Sequence, residues 1–131
     1  MNDNGEENHL VAERWVRVFG TCSSEGIWDK DGCEVGVEDL PVTKELQQQI
    51  LDWQLEYERL WDLYQEVEIK DWPATNWHAF SFQGLELAKA VKAQLPDWTV
   101  MYFDEEKYAE SEVDYRRKTM PRSYYDFEIK L

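Results

Sequence analysis

Six apolar residues, Leu46, Ile50, Trp53, Tyr57, Leu60 and Tyr64, follow one another at intervals of 4, 3, 4, 3 and 4. A helix with about 3.6 residues per turn brings such positions onto one side. The spacing therefore predicts an amphipathic helix of about five turns, with Gln48, Gln49, Asp52, Glu56, Arg59, Asp62 and Glu66 on its wet side. Such a helix needs a second layer to cover its apolar stripe. Leu55, Trp61 and Leu63 widen the apolar surface beyond that stripe. The helix must bury more than one side or present part of itself to a partner. Thr43 is placed to cap its start, and Asp71-Trp72-Pro73 stops the chain from continuing as helix.

A second helix is expected over residues 77–95, capped by Asn76, with Phe80, Gly84, Leu87, Ala88, Val91 and Leu95 on one face. Gly84 weakens a helix interior by about 1 kcal/mol relative to Ala, and the expected return is close approach of a neighbouring element. Residues 10–19 mix Val, Trp and Phe with Glu and Arg and read as a strand. Residues 20–26 are a small-residue loop. Asp29-Lys30-Asp31-Gly32 between Ile27-Trp28 and residues 33–37 is a hairpin signal. Residues 98–103 form a short apolar strand. Tyr125, Phe127, Ile129 and Leu131 alternate with Asp126, Glu128 and Lys130, as in a strand with one solvated face. Strands, two helices, then strands predict an α+β fold: a mainly antiparallel sheet with two helices packed on one face.

At 131 residues the chain suits one domain, expected over residues 9–131 behind a flexible acidic tail, residues 1–8, that carries Asp3, Glu6 and Glu7. Seven tryptophans, seven tyrosines and five phenylalanines supply the apolar burial that offsets the entropy of folding. No run approaches the roughly 18 apolar residues of a membrane span. The N-terminus lacks a basic and then apolar secretory run, so a cytoplasmic location is expected. Cys22 and Cys33 make no disulfide framework, although a hairpin could bring them together. The net charge is −14, from 28 acidic and 14 basic residues. That opposes binding to nucleic acid and to anionic membranes, both of which attract Lys and Arg. A basic protein partner would be drawn in and steered.

Chemistry-bearing motifs are missing. His9 and His78 are far apart, and with Cys22 and Cys33 they do not reach metal-ligand spacing. The Asp29 to Gly32 segment lacks the acidic twelfth ligand of a calcium loop, where Leu40 stands, and reads as a turn. No glycine spacing fits a phosphate loop. No catalytic residue, metal or cofactor is expected, and binding is favoured over catalysis. A buried His78 beside a carboxylate in a deep pocket would instead favour a small hydrolase or isomerase. Most tryptophans should be core, with Trp72 and Trp77, beside Pro73, the best placed to be exposed as interface anchors.

Three stretches carry a resemblance: Leu40-Pro41-Val42-Thr43-Lys44-Glu45-Leu46 leading to Trp53; Phe82-Gln83-Gly84-Leu85-Glu86-Leu87-Ala88; and Leu95-Pro96-Asp97-Trp98-Thr99-Val100 with Tyr102-Phe103-Asp104-Glu105. Over residues 40–105 the chain resembles small bacterial immunity proteins of polymorphic toxin systems, including contact-dependent growth inhibition. The resemblance implies an intracellular inhibitor of a cognate toxin C-terminal domain, in many such systems a nuclease with a basic cleft. Its motifs are a helix cap and core positions, so no catalytic residue comes with it. Two acidic runs are then candidates for the partner interface. One is Glu34, Glu38 and Asp39; the other is Asp104, Glu105, Glu106, Glu110, Glu112 and Asp114, expected as a solvated loop or short helix. A DNA-mimic inhibitor of a restriction or CRISPR enzyme is the alternative, but Arg116, Arg117, Lys118 and Arg122 would interrupt its acidic surface. A non-catalytic adaptor subunit with an exposed Trp-rich surface is another.

Overall fold

Thr43 caps the first long helix as its sequence demands, its hydroxyl accepting the Leu46 N–H at 3.2 Å. In the computed structural model, which describes residues 9–68, 71, 73–113 and 121–131, this helix is α2, Lys44–Leu63. A short helix α1, His9–Glu13, and strands β1, Trp15–Val18, β2, Ile27–Trp28, and β3, Glu34–Val35, precede it. Helix α3, Ala74–Gln94, strand β4, Thr99–Phe103, helix α4, Glu105–Val113, and strand β5, Asp126–Glu128, follow. The predicted acidic tail, Trp72, Asp114 and the Arg116, Arg117, Lys118 cluster lie outside the described residues.

The sheet order is β3-β2-β1-β4-β5. β1, β2 and β3 form an antiparallel meander and β5 pairs antiparallel with β4, but β1 and β4 run parallel at the centre. The expected α+β fold is found, and three of the four described pairings are antiparallel, but the central parallel pair makes the sheet a mixed one. The reason is topological. α2 and α3 form a hairpin whose outer ends meet, the Thr43 N–H donating to Gln94 Oε1 at 2.9 Å. α3 delivers the chain beside Arg14, whose carbonyl accepts the Thr99 amide, so β4 starts at the same end as β1 and runs in the same direction.

Register explains the core. Val16 lies beside Val100, Val18 beside Tyr102 and beside Ile27, and all five are buried. These cross-strand neighbours share one face, against which Ile50, Trp53, Phe80, Ala88 and Val91 pack as one cluster. Gly84 has the close approach its position implied: a Cβ there would fall 2.5 Å from both the Trp53 ring and the Tyr102 hydroxyl. The Trp53 indole donates to the Phe80 carbonyl and the Tyr102 hydroxyl to that of Ser81, tying α2 and β4 to α3.

Three local expectations are corrected and one open alternative is decided. Residues 10–19 are not one strand: Arg14, at φ 51°, ends α1 and donates to the Leu10 carbonyl, so only Trp15–Val18 joins the sheet. α3 begins three residues before the expected Trp77, with Pro73 at the cap position, while Asn76 bonds the Tyr64 hydroxyl instead of capping. Of the two outcomes open to the wider apolar surface of α2, burial does not occur: Leu55, Trp61 and Leu63 are exposed. The last strand is only Asp126–Glu128 and does not alternate as expected: Asp126 is buried, Phe127 half-buried and Glu128 exposed, because the Asp126 carboxylate takes a two-bond ion pair from Arg17 and a further bond from Arg122. The hairpin forms as expected, with Asp29 accepting the Asp31 and Cys33 amides at 2.9 Å and Gly32 at φ 85°. Cys22 and Cys33 are free thiols.

Candidate functional site

The parallel pair creates a site. The chain leaves β1 toward β2 and leaves β4 toward α4 and β5, on opposite sides. Loops that diverge from the carboxyl ends of adjacent parallel strands leave a crevice between them. Here it is a cleft of about 410 Å³ lined by Phe19 and Thr21 after β1, Phe103, Glu105 and Tyr108 at the end of β4 and on α4, Tyr57 of α2, and Arg122 and Tyr125.

Each wall has a local cause. Gln54 lies four residues after Ile50 and three before Tyr57, hence on the apolar side of α2. It holds the loop after β1 by accepting the Thr21 amide at 3.1 Å and donating to the Thr21 carbonyl at 2.6 Å. That periodicity was the available sign of Gln54's role. Asp104 caps α4, accepting the Lys107 amide at 3.0 Å, and Ser81 accepts the Glu106 amide, which docks α4 on α3. The rings of Phe103, Tyr108 and Tyr125 meet edge-on or tilted at 5.2–5.4 Å between centroids, and Phe19 sits 4.2 Å from Phe103.

The two acidic runs separate. Glu38 and Asp39 are exposed on a 3₁₀ turn, where Glu38 borders α2 beside Lys44 and Gln47, and no described contact joins them to α4. The expectation that the second run is a solvated surface is corrected at its start. Asp104 and Glu105 are buried, because they follow directly on the carboxyl end of β4, between β1 and β5, before α4 turns outward. Glu106 and Glu110 are half-buried. Glu106 lies 3.6 Å from His78, and Glu110 accepts the Tyr124 hydroxyl at 3.0 Å. The side chain of Glu112, with Asp114 and Trp72, lies outside the described residues. Trp77, expected to be exposed, is buried, because α3 starts early enough to turn it against Phe80. The exposed tryptophan on α2 is instead Trp61.

Burial pushes the Glu105 carboxyl up to about 8, and Asp104 adds repulsion. Burial raises the Tyr57 hydroxyl and the Cys22 thiol as well. Burial also raises Glu106, with His78 opposing it. The His78 side chain is 75% exposed, so the buried histidine that a hydrolase reading needs is absent at this position. Among the described residues no three His, Cys, Asp or Glu side chains converge as metal ligands, and no helix is long and apolar enough to cross a membrane. The burial of Asp104, Glu105 and Asp126 removes three carboxylates from any phosphate-like surface array.

Residues 14–105 match the family described as Serratia CdiI immunity protein-like. The chain belongs to that family. The match extends the earlier resemblance upstream through the β1 to β3 meander and ends at Glu105, the first residue of α4. This is a contact-dependent growth inhibition immunity protein, a toxin inhibitor. No curated protein and no solved structure matches the chain.

Proposed function

We propose that this immunity protein acts in the cytoplasm and neutralises a basic toxin C-terminal domain by docking the α4 side of its fold over the toxin's working surface. The carrying observation is that acidic and aromatic groups meet there. Glu106 and Glu110 lie on α4, which also supplies Glu105 and Tyr108 to the aromatic-walled cleft. Interfaces favour this arrangement: aromatic anchors at the centre and charges at a wet rim. The chain's −14 charge suits a partner whose own cleft is basic, as a nuclease's must be.

The test is co-expression with the C-terminal toxin domain of the cognate growth-inhibition system. Growth should be restored and the two proteins should co-purify. Continued growth arrest, with this protein soluble and abundant, would reject the reading.

A further inference from the structure

Glu105 is 6% exposed, yet its carboxyl accepts no hydrogen bond from any described residue. Such a group costs about 1–3 kcal/mol, and more when charged, so native folds seldom keep one without a use. Its neighbours are committed elsewhere. The Asp104 carboxylate caps α4, and Arg122, the basic residue on the cleft wall, gives its Nε to Asp126 at 2.7 Å. The carboxyl opens onto a cleft whose other walls are mainly the rings of Phe19, Tyr57, Phe103, Tyr108 and Tyr125.

A lone carboxylate among aromatic faces complements a cation. It supplies the opposite charge, and the rings supply their negative faces. A guanidinium fits better than an ammonium, because it is planar, less strongly hydrated and stacks on rings. Asp104 and Glu105 together repel an anionic guest.

We propose that this cleft seats one arginine side chain of the toxin, its guanidinium bonded to Glu105 and stacked on the surrounding rings. The assignment rests on the immunity reading above and specifies the contact at the centre of that interface. It has a consequence for protons. In the free chain burial and Asp104 keep Glu105 mostly protonated at neutral pH, and the arriving guanidinium expels that proton. Tyr57, Cys22 and Tyr102 also face Glu105, but burial moves all three upward, away from the window between about pH 6 and 8. Arg122 and the hydroxyls of Tyr108 and Tyr125 also border the cleft, and all three are common to wild type and Glu105→Gln, so that comparison isolates Glu105. Glu106, which pairs with His78 of α3, is controlled for by comparing variants that keep both.

The experiment measures affinity of the full chain for its toxin domain at about pH 6 and about pH 8, for wild type, Glu105→Gln and Tyr108→Leu. With Glu105 titrating at about 8, wild-type affinity should rise on the order of fifty-fold across this interval. Glu105→Gln should bind at least tenfold more weakly at the higher pH and lose most of the pH dependence. Tyr108→Leu should weaken binding by roughly three- to fivefold and keep the pH dependence. Carbon-13 NMR of the side-chain carboxyls should place Glu105 near 8 in the free chain and below about 5 in the complex. Equal binding by wild type and Glu105→Gln at both pH values, or a Glu105 that already titrates below about 5 in the free chain, would overturn the seat while leaving the immunity role intact. Failure of the wild-type chain to bind any toxin domain would overturn the immunity reading itself, and the seat with it.

Discussion

A carboxyl that is nearly buried without a hydrogen-bond donor stabilises a fold only while it keeps its proton. Glu105 titrates near 8 in the folded chain, against 4.5 ordinarily, so between those values the folded state holds more protons than the unfolded one. Its favourable contribution is complete below about pH 4.5 and is lost as pH rises through about 8. Glutamine imitates the protonated form at every pH. Glu105→Gln should therefore match wild type in urea unfolding near pH 5 and exceed it by a few kcal/mol near pH 9. A pH-independent difference would mean that the carboxyl ionises like an exposed one. Gly84 is the second residue whose surroundings decide an outcome. Alanine there gains about 1 kcal/mol of helix propensity. Its Cβ would meet the buried Trp53 ring and the Tyr102 hydroxyl at 2.5 Å, and Tyr102 could yield only by giving up its bond to Ser81. Overpacking of that kind costs about 1–3 kcal/mol and the lost hydrogen bond about 1 more, so Gly84→Ala should lower stability by roughly 2 kcal/mol in chemical denaturation.

β5 shows how a short element is held by a single buried charge. Its Asp126 side chain is 3% exposed and takes Arg17 from β1 and Arg122 from the turn before it. Removing the carboxylate leaves Arg17 half-buried without its counter-charge, whereas Arg122 is 65% exposed and can return to water. Asp126→Ala should cost about 3 kcal/mol and Arg122→Ala less than about 1. Hydrogen exchange should localise the first effect to the Ile129 amide, which bonds Val100 across the pair. The elements whose signals are local were legible in the sequence: α2 with its Thr43 cap, the body of α3 with Gly84, the Asp29 hairpin and β4. What was not legible depends on distant partners. Nothing between residues 10 and 19 marks Arg14 as the left-handed residue that ends α1, since that geometry usually belongs to glycine. The parallel β1–β4 pairing is a choice between strands some 80 residues apart. Counting charge placed Glu105 in the right segment. It could not separate the buried carboxyl from the half-buried Glu106 and Glu110, and the position beside Pro73 put Trp77 on the surface when helix phase turns it inward.

At the scale of the molecule, the same acidity can act in two ways, as a diffuse field that steers the partner or as specific contacts that hold it. Excess negative charge speeds encounter with a basic surface, and salt screens that effect within about 10 Å at 0.1 M. Contacts sealed from solvent act mainly on dissociation. The fold divides the carboxylates accordingly, with Glu105 inside the cleft, Glu106 and Glu110 around it, and Glu38 and Asp39 apart on their 3₁₀ turn. Reversing Glu106 and Glu110 to lysine should slow association with the toxin domain at least tenfold at low salt, with most of the loss disappearing at high salt. Reversing Glu38 and Asp39 changes the net charge equally and should slow association only a few fold, because a distant charge contributes field without contact. Glu105→Gln should leave the association rate nearly unchanged and shorten the lifetime of the complex. Stopped-flow association and dissociation across a salt series reads all three variants. Equal slowing by the two double reversals would show that the acidity works only through its total. It would move the interface away from α4, because a patch at the contact must outweigh the same charge placed elsewhere.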